Sequence, residues 1–159
     1  MIRFTKSLAR DEKGASVIEL ALVMPIMGSL LIGMVDLSRA YSAKLQLEQS
    51  AYRAVEKVQQ YQATESTYDT LKNEAVSAAH DAGFSAVTTN DVTVDYWLEC
   101  NGVRQTNYDT VCSGSQPYAR WVTVDIAGTF TPMFSSRRWP GANSNGTFTL
   151  HGKAGLRTQ

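Results

Sequence analysis

The residue with the clearest chemical significance is Glu19, a single carboxylate inside a long apolar run. From Ala15 to Val35 all residues except Glu19 are apolar or small. A helix rises about 1.5 Å per residue and the hydrocarbon core of a bilayer is about 30 Å thick, so about twenty such residues cross it once. The run therefore predicts a transmembrane helix with one acidic side chain near its start.

Glu19 needs either a partner or a way out of the hydrocarbon. A charged side chain costs about 2.5–3.5 kcal/mol at the centre of a membrane helix and less near its end, and such residues usually pair. A cut after Gly14 would give Ala15 a free amine four residues before Glu19, and the two groups would neutralise each other within one chain or between neighbouring helices. Alternatively, Glu19 reaches the headgroups or is protonated. The residues alone leave both interpretations open.

The flanks of the apolar run predict its orientation. Residues 1–13 carry four basic and two acidic side chains, and an excess of Lys and Arg before a first membrane segment keeps that end cytoplasmic. Everything after Val35 is then expected outside the inner membrane. The competing interpretation is a secretory signal peptide cut near Ala40-Tyr41-Ser42. The run is longer than the 7 to 15 apolar residues of such a signal, and Asp36 and Arg39 precede that site.

Small and cyclic residues inside the run predict helix contacts. Pro25 removes one backbone hydrogen bond, which membrane helices tolerate when neighbours satisfy the freed carbonyl. Ser29 and Gly33 form a small-xxx-small pair that permits close approach of a second helix. The alternative is the general abundance of glycine in membrane helices. We expect Pro25, Ser29 and Gly33 to serve helix packing.

The N-terminal segment resembles a known family. Glycine followed five residues later by Glu and then by a hydrophobic helix is similar to the processing site of type IV prepilins. The longer pattern resembles the TadE-like minor pilins of the Tad (Flp) pilus system over roughly residues 13 to 55. It is carried by Gly14, Val17, Glu19, Leu20, Ala21, Leu22, Val23, Pro25, Gly33, Asp36, Arg39 and Ala40.

This resemblance implies a processing step and a set of partners. A prepilin peptidase would cut between Gly14 and Ala15, and the Ala15 amine would pair with Glu19 of the same or an adjacent chain. The implied partners are the peptidase, the short major Flp-type pilin, a companion minor pilin and the inner-membrane assembly platform. The implied location is the inner membrane and then the extracellular pilus, with tasks in pilus assembly, adhesion and biofilm formation.

The helical pattern continues beyond the apolar run. No Gly or Pro interrupts the sequence between Gly33 and Gln60, which predicts one helix from Ala15 to about Gln60. A second helix is predicted from a cap at Ser66 or Thr67 to about Ala82, with Gly83 as its stop. The apolar stripe of the first helix, expected to be buried against either its own globular domain or neighbouring copies, is Leu37, Tyr41, Leu45, Tyr52, Val55 and Val58, widened by Leu47, Ala51 and Ala54.

Three later segments alternate with period two and predict antiparallel strands, each with one face buried. Their inward residues are Val92, Val94, Tyr96 and Leu98; Val122, Val124, Ile126 and Phe130; and Phe148, Leu150, Ala154 and Leu156. The expected fold is therefore α+β and pilin-like, with a sheet of three to four strands. The expected divisions are a leader (1–14), a transmembrane part (15–35), a helical continuation (36–61) and an extracytoplasmic head (62–159).

Cys100 and Cys112 are the two cysteines of the chain. Both are expected outside the membrane, where an oxidising compartment lets such a pair close. Two cysteines alone make a poor metal site, and a redox pair is more typically spaced Cys-x-x-Cys. We therefore predict a structural disulfide that pins the loop containing the Asn101-Gly102 turn signal.

Composition and motifs argue against several other functions. The formal net charge is zero, whereas nucleic-acid modules usually carry a basic balance or stripe. Neither histidine lies in a nucleophile, metal or phosphate-loop motif, and His80 is expected on the surface. We predict no enzyme, no cofactor and no metal. Arg137-Arg138-Trp139 is either a phosphate or acidic-partner contact or a solvated loop.

One alternative function stays open. The chain would then be a signal-anchored periplasmic binding module, left uncleaved in the membrane, with its long loops holding a ligand or partner. Those loops are predicted over Asn101–Gln116 and Pro132–Gly146, and loops of such length are more often functional than accidental.

Overall fold

The computed structural model describes residues 12–60, 65–134 and 137–158, with side chains over 16–58, 70–134 and 137–158. Helix α1 runs over Glu12–Gln60 and helix α2 over Glu65–Asp81. Strands follow at Val92–Cys100 (β1), Val103–Arg104 (β2), Tyr118–Phe130 (β3) and Phe148–Arg157 (β4). Two compact units divide the chain, the first ending at Arg39 and the second beginning at Ala40.

The predicted α+β class is confirmed, as is the single long N-terminal helix. Helix α1 continues through Pro25 and begins before the predicted Ala15. Residues 40–60 of α1 belong to the second unit, together with α2 and the sheet. Below, "the head" denotes this second unit, residues 40–159.

The buried face of α1 within the head differs from the predicted stripe. Leu47, Ala51, Ala54, Val55 and Val58 are buried as expected. However, Tyr41, Leu45 and Tyr52, and Leu37 just before the head, are exposed by 64%, 39%, 54% and 73%. This part of the stripe is therefore not buried in the head's own core, and its contact with neighbouring copies stays a prediction. Within the head, α1 instead packs through its small residues, which permit a closer contact than large ones.

Helix α2 packs against this small-residue face of α1. The buried Ser50 hydroxyl lies 2.9 Å from the Gln46 carbonyl oxygen and 3.1 Å from that of Ala78, which links the two helices. An ion pair between Lys57 and Glu74 joins them at the surface. The helix begins at Glu65, one residue before the predicted cap at Ser66, and Gly83 follows its end with φ +94°. Leu71, Ala75, Ala78 and Ala79 are buried.

The sheet is antiparallel in the order β2-β1-β3-β4. Val122, Val124 and Ile126 of the central strand β3 are fully buried, with α1 and α2 on that face. On the other face, β1 and β4 carry mainly polar side chains, in agreement with strands that each bury one face. The Asn101-Gly102 turn is also confirmed, because both residues have positive φ (50° and 78°) and join the paired Cys100 and Val103 in a two-residue hairpin.

Two glycines of the sheet let α1 approach the strands closely. A Cβ on Gly128 would lie 2.8 Å from Leu47 Cδ1, and one on Gly152 would lie 2.5 Å from the backbone nitrogen of Glu48. A Cβ on Gly152 would also overlap the carbonyl carbon of Leu47. Leu47 therefore sits in a seat that exists only because these strand positions lack side chains. We call Gly128 and Gly152 the glycine seat.

Replacement of Gly152 by Ala is expected to destabilise the head by about 1–3 kcal/mol or more, because helix backbone must move away from β4. The matched control is Gly155→Ala on the opposite face of the same strand. There a Cβ would lie 3.0 Å from the Thr123 Cγ2 atom, with the nearest backbone atom at 3.6 Å. Urea unfolding of the full chain in detergent, followed by tryptophan fluorescence, measures the free energy of unfolding of both variants. An equal loss in the two variants would contradict the role of Gly152 in the contact with α1.

Candidate functional site: the apolar segment and the disulfide-bonded head

The apolar segment is a helix whose side chains are open to their surroundings. Ser16–Val58 is a helix apolar and long enough to cross a membrane, and no part of its most apolar window is buried. Leu22, Leu30 and Met34 are each more than two-thirds exposed. Exposed apolar surface of this extent marks a membrane or protein contact.

Glu19 lies on this exposed helical surface. Both Ala15 and Glu19 are helical, which confirms that they are separated by about one turn. Among the residues whose side chains are described, none forms an ion pair with Glu19. A helix beginning at Ala15 would place Glu19 close to its N-terminal N–H groups, and these attract a carboxylate. The geometry thus suits an amine–carboxylate pair at a new N-terminus.

The predicted processing residues Gly14 and Ala15 lie in the first turns of α1, where the backbone is described and the side chains are not. The leader up to residue 11 lies outside the described residues. The cleavage between Gly14 and Ala15 stays a prediction.

The three predicted packing residues lie at open positions of α1. Pro25 lacks the N–H that would bond the Ala21 carbonyl oxygen. The Ser29 hydroxyl donates to the Ile26 carbonyl oxygen at 2.8 Å. A Cβ on Gly33 would meet nothing within 4 Å, and the same holds for Gly28. These glycines are not required by contacts among the described residues, and they leave room for another helix to approach.

A disulfide joins Cys100 to Cys112, with their Cα atoms 5.7 Å apart. Cys100 is buried at the end of β1, so the bridge fixes the chain that leaves β2 against the sheet. This segment carries Tyr108 into the interior, where its side chain is 7% exposed and packs in a cluster with Val58, Leu71 and Val122. The Tyr108 ring meets Tyr96 edge-on at 5.4 Å. The disulfide therefore secures a core residue that comes from a loop.

Sequence reasoning missed a cluster on the outer face of the sheet. Trp97 and Trp121 are paired across β1 and β3, and their rings stack at 6.2 Å between centroids. Both indole N–H groups donate to the Glu99 carboxylate, at 2.8 and 3.2 Å. The Arg104 guanidinium lies 4.6 Å from the Trp97 ring centroid and 2.9 Å from Asp95. Alternation along β1 places Trp97 and Glu99 opposite the predicted buried face, but the sequence did not reveal the strand register that brings these five side chains together.

The histidines occupy structural positions. His80 is exposed, and its Nε2 atom lies 2.8 Å from the Val87 carbonyl oxygen. His151 Nδ1 lies 2.9 Å from the Asp125 carboxylate on the outer face of the sheet. Within the described ranges no group of three or more His, Cys, Asp or Glu side chains is arranged to hold a metal.

One pKa is shifted at the entry to the sheet. The Thr88 hydroxyl donates to the Asp91 carboxylate at 2.7 Å and the Thr88 backbone N–H donates to it at 2.9 Å. These hydrogen bonds lower the pKa of Asp91, the hydroxyl having the larger effect.

These features define a class of protein: an α+β head attached to one N-terminal helix of membrane-spanning length. Residues 14–56 match the family model described as TadE-like protein, which makes this segment TadE-like. The match covers Gly14, Ala15, Glu19 and most of α1, and it confirms the resemblance predicted for residues 13 to 55. No curated protein and no solved structure matches the chain.

Removal of the disulfide by Cys100→Ala with Cys112→Ala is expected to lower the free energy of unfolding by about 3 kcal/mol, because a loop of this length gains entropy in the unfolded chain. Urea unfolding of the full chain in detergent measures the loss. The matched control is reductant, which should weaken the parent chain by a similar amount and leave the double variant unchanged. A parent chain with two titratable thiols before reduction would contradict the assignment.

Proposed function

We propose that this chain is a minor pilin of a Tad/Flp-type type IV pilus. It is inserted in the bacterial inner membrane with its N-terminus cytoplasmic and its head outside. Prepilin peptidase then cuts between Gly14 and Ala15, and the subunit enters the filament. The observation that carries the proposal is the TadE-like match over residues 14–56, in which Glu19 lies one helical turn after Ala15.

The physical support comes from the apolar segment. A mature chain starting at Ala15 has a terminal ammonium near the Glu19 carboxylate, and pairing removes the cost of either charge in hydrocarbon. The open positions at Ser29 and Gly33 suit helix–helix contact with another subunit. The charge pair and the open positions would both contribute to binding when the helix moves from the lipid bilayer into a bundle of similar helices in the filament.

The head supplies the displayed surface of the subunit. Its disulfide and its packed sheet give it a fixed shape outside the membrane. We propose that it takes part in pilus assembly or initiation, with roles in adhesion and biofilm formation. The partners in this proposal are the prepilin peptidase, the major Flp-type pilin, a companion minor pilin and the inner-membrane assembly platform.

A second candidate function is an uncleaved, membrane-anchored binding module. The observation in its favour is an open groove of about 730 Å³ beside β2, lined by Tyr96, Trp97, and residues 104–108. A module of this kind has no need of a terminal amine near Glu19, so changing Glu19 would be silent. Disrupting the loop closed by Cys100 and Cys112 would instead abolish its ligand binding.

Replacement of Glu19 by Ala is expected to leave membrane insertion intact or improved, because it removes a charge from the apolar segment. Incorporation into sheared pili should fall by about tenfold or more, since each lost contact of about 1.4 kcal/mol corresponds to a factor of ten. The measurement compares the sheared-pilus and alkaline-extracted membrane fractions of the same cells by immunoblot.

The matched control is Glu56→Ala, which removes an exposed carboxylate of the same helix outside the apolar segment. That variant should assemble normally. Normal assembly by Glu19→Ala would overturn the role of Glu19 in the pilin mechanism and favour the anchored module.

A further inference from the structure

We propose that the loop between β3 and β4, through its described residues 131–134 and 137–147, docks on the anionic headgroups of the membrane while the subunit is anchored there. We call it the β3–β4 loop. This inference rests on the membrane-anchored stage of the proposed function. It assigns a role to residues that neither the core of the head nor the pairing of Glu19 uses.

The β3–β4 loop exposes large apolar side chains together with basic ones. Met133, Phe134 and Trp139 are 61%, 61% and 57% exposed, and Arg137 and Arg138 lie on the surface between the two aromatic residues. Aromatic side chains are enriched where membrane meets water, and arginine binds phosphate strongly. This combination of side chains fits a membrane surface, where anionic headgroups cover an apolar hydrocarbon core.

Charge distribution supports an anionic partner. After Asp125 the chain has four Lys or Arg residues and no Asp or Glu, although the chain as a whole is neutral. Asp91 lies near this end of the sheet, in a pocket with Ala127 and Thr129, and its carboxylate is bound by Thr88. Two of these four, Arg137 and Arg138, lie in the β3–β4 loop, which has no acidic residue and therefore carries a formal charge of +2 in a neutral chain.

The loop is held in shape at the position of the tryptophan. The Trp139 carbonyl oxygen accepts a hydrogen bond from Ala142 N at 3.1 Å across Pro140-Gly141, and Gly141 has φ +80°. Proline followed by glycine with positive φ is the signature of a type II turn. Further along, the Asn143 amide donates to the Thr147 and Thr149 hydroxyls. Trp139 is therefore presented by a preformed turn, which lowers the entropic cost of docking.

Strand direction places the loop at the end of the head that the chain enters. Leu47 sits beside Gly128, whereas Val58 clusters with Val122, so β3 runs antiparallel to this part of α1. The strand therefore ends, at Phe130, toward Ala40, where the head begins. Phe148 pairs with Phe130, so both ends of the β3–β4 loop lie at this end of the head.

The tether to the apolar segment is short. Five residues lead from Val35, the last residue of the apolar run, to Ala40, and even fully extended they reach at most about 18 Å. The headgroup region adds several Å on each side of the hydrocarbon core. When the apolar run spans the bilayer, Ala40 is thus within reach of the headgroups, and basic and aromatic side chains that meet the headgroups gain binding free energy.

The test uses the full chain reconstituted in vesicles that contain a phospholipid brominated near the headgroup end of its acyl chains. Tryptophan quenching is measured in vesicles rich in phosphatidylglycerol and in vesicles of phosphatidylcholine alone. The difference between the parent chain and Trp139→Phe isolates Trp139 from Trp97 and Trp121. We expect Trp139 to be quenched in the anionic vesicles and much less in the zwitterionic ones.

Charge variants test the role of the arginines. The double variant Arg137→Gln/Arg138→Gln should lower the docked-to-undocked ratio by about 25-fold, since each basic residue near an anionic surface contributes about fivefold. The matched control, Arg53→Gln/Lys153→Gln, removes the same charge from exposed positions outside the loop and should leave quenching unchanged.

Alkaline carbonate extraction of the same vesicles distinguishes a failure of headgroup docking from a failure of membrane anchoring. A chain retained in the membrane whose Trp139 is unquenched in anionic vesicles overturns the docking inference and leaves the pilin proposal standing. Quenching of Trp139 that is equal in both lipids, or equally reduced by the control variant, also overturns it. A chain released by carbonate overturns the membrane-anchored stage itself and the docking inference with it.

Discussion

The contact between Leu47 and the glycine seat is the constraint on which the head depends. Because Gly128 and Gly152 have no side chains, the backbone of α1 comes close to β4 at Gly152 and the Leu47 side chain comes close to β3 at Gly128. That closeness brings Ala51, Ala54 and Val55 into the same core as Val124, Ile126 and Ala154. Burial of apolar surface is the main favourable term in folding, and here the two glycines decide which face of the helix is buried.

The packing also explains why α1 keeps large side chains on its outside. The small side chains of Ser50, Ala51 and Ala54 form the contact with α2 and the sheet, so Tyr41 and Tyr52 remain exposed. A large exposed side chain on a helix that is already packed is available for other contacts. The apolar segment has the same property, because no part of its most apolar window is buried.

Local patterns in the sequence predicted most of the elements. The absence of helix breakers predicted α1, and alternation predicted three of the four strands. Asn101-Gly102 predicted a turn, and the structure shows that the short strand β2 follows it. The TadE-like segment was predicted by resemblance. The disulfide between Cys100 and Cys112 was predicted from the expected oxidising compartment and from the poor fit of two cysteines to a metal or redox site. The sequence did not predict which face of α1 is buried in the head, because Tyr41 and Ala51 both fit the same apolar helical period. The glycine seat and the Trp97–Glu99–Trp121 cluster depend on strand register, which joins residues far apart in the chain.

The central claim is that the mature subunit begins at Ala15, and the most direct measurement is the N-terminal residue and intact mass of the protein from membranes. Cells with and without the prepilin peptidase are compared. We predict Ala15 as the N-terminus when the peptidase is present, and a chain that still begins at Met1 when it is absent. Persistence of Met1 in both would contradict it, because the Ala15 amine would not exist and Glu19 would have no such partner.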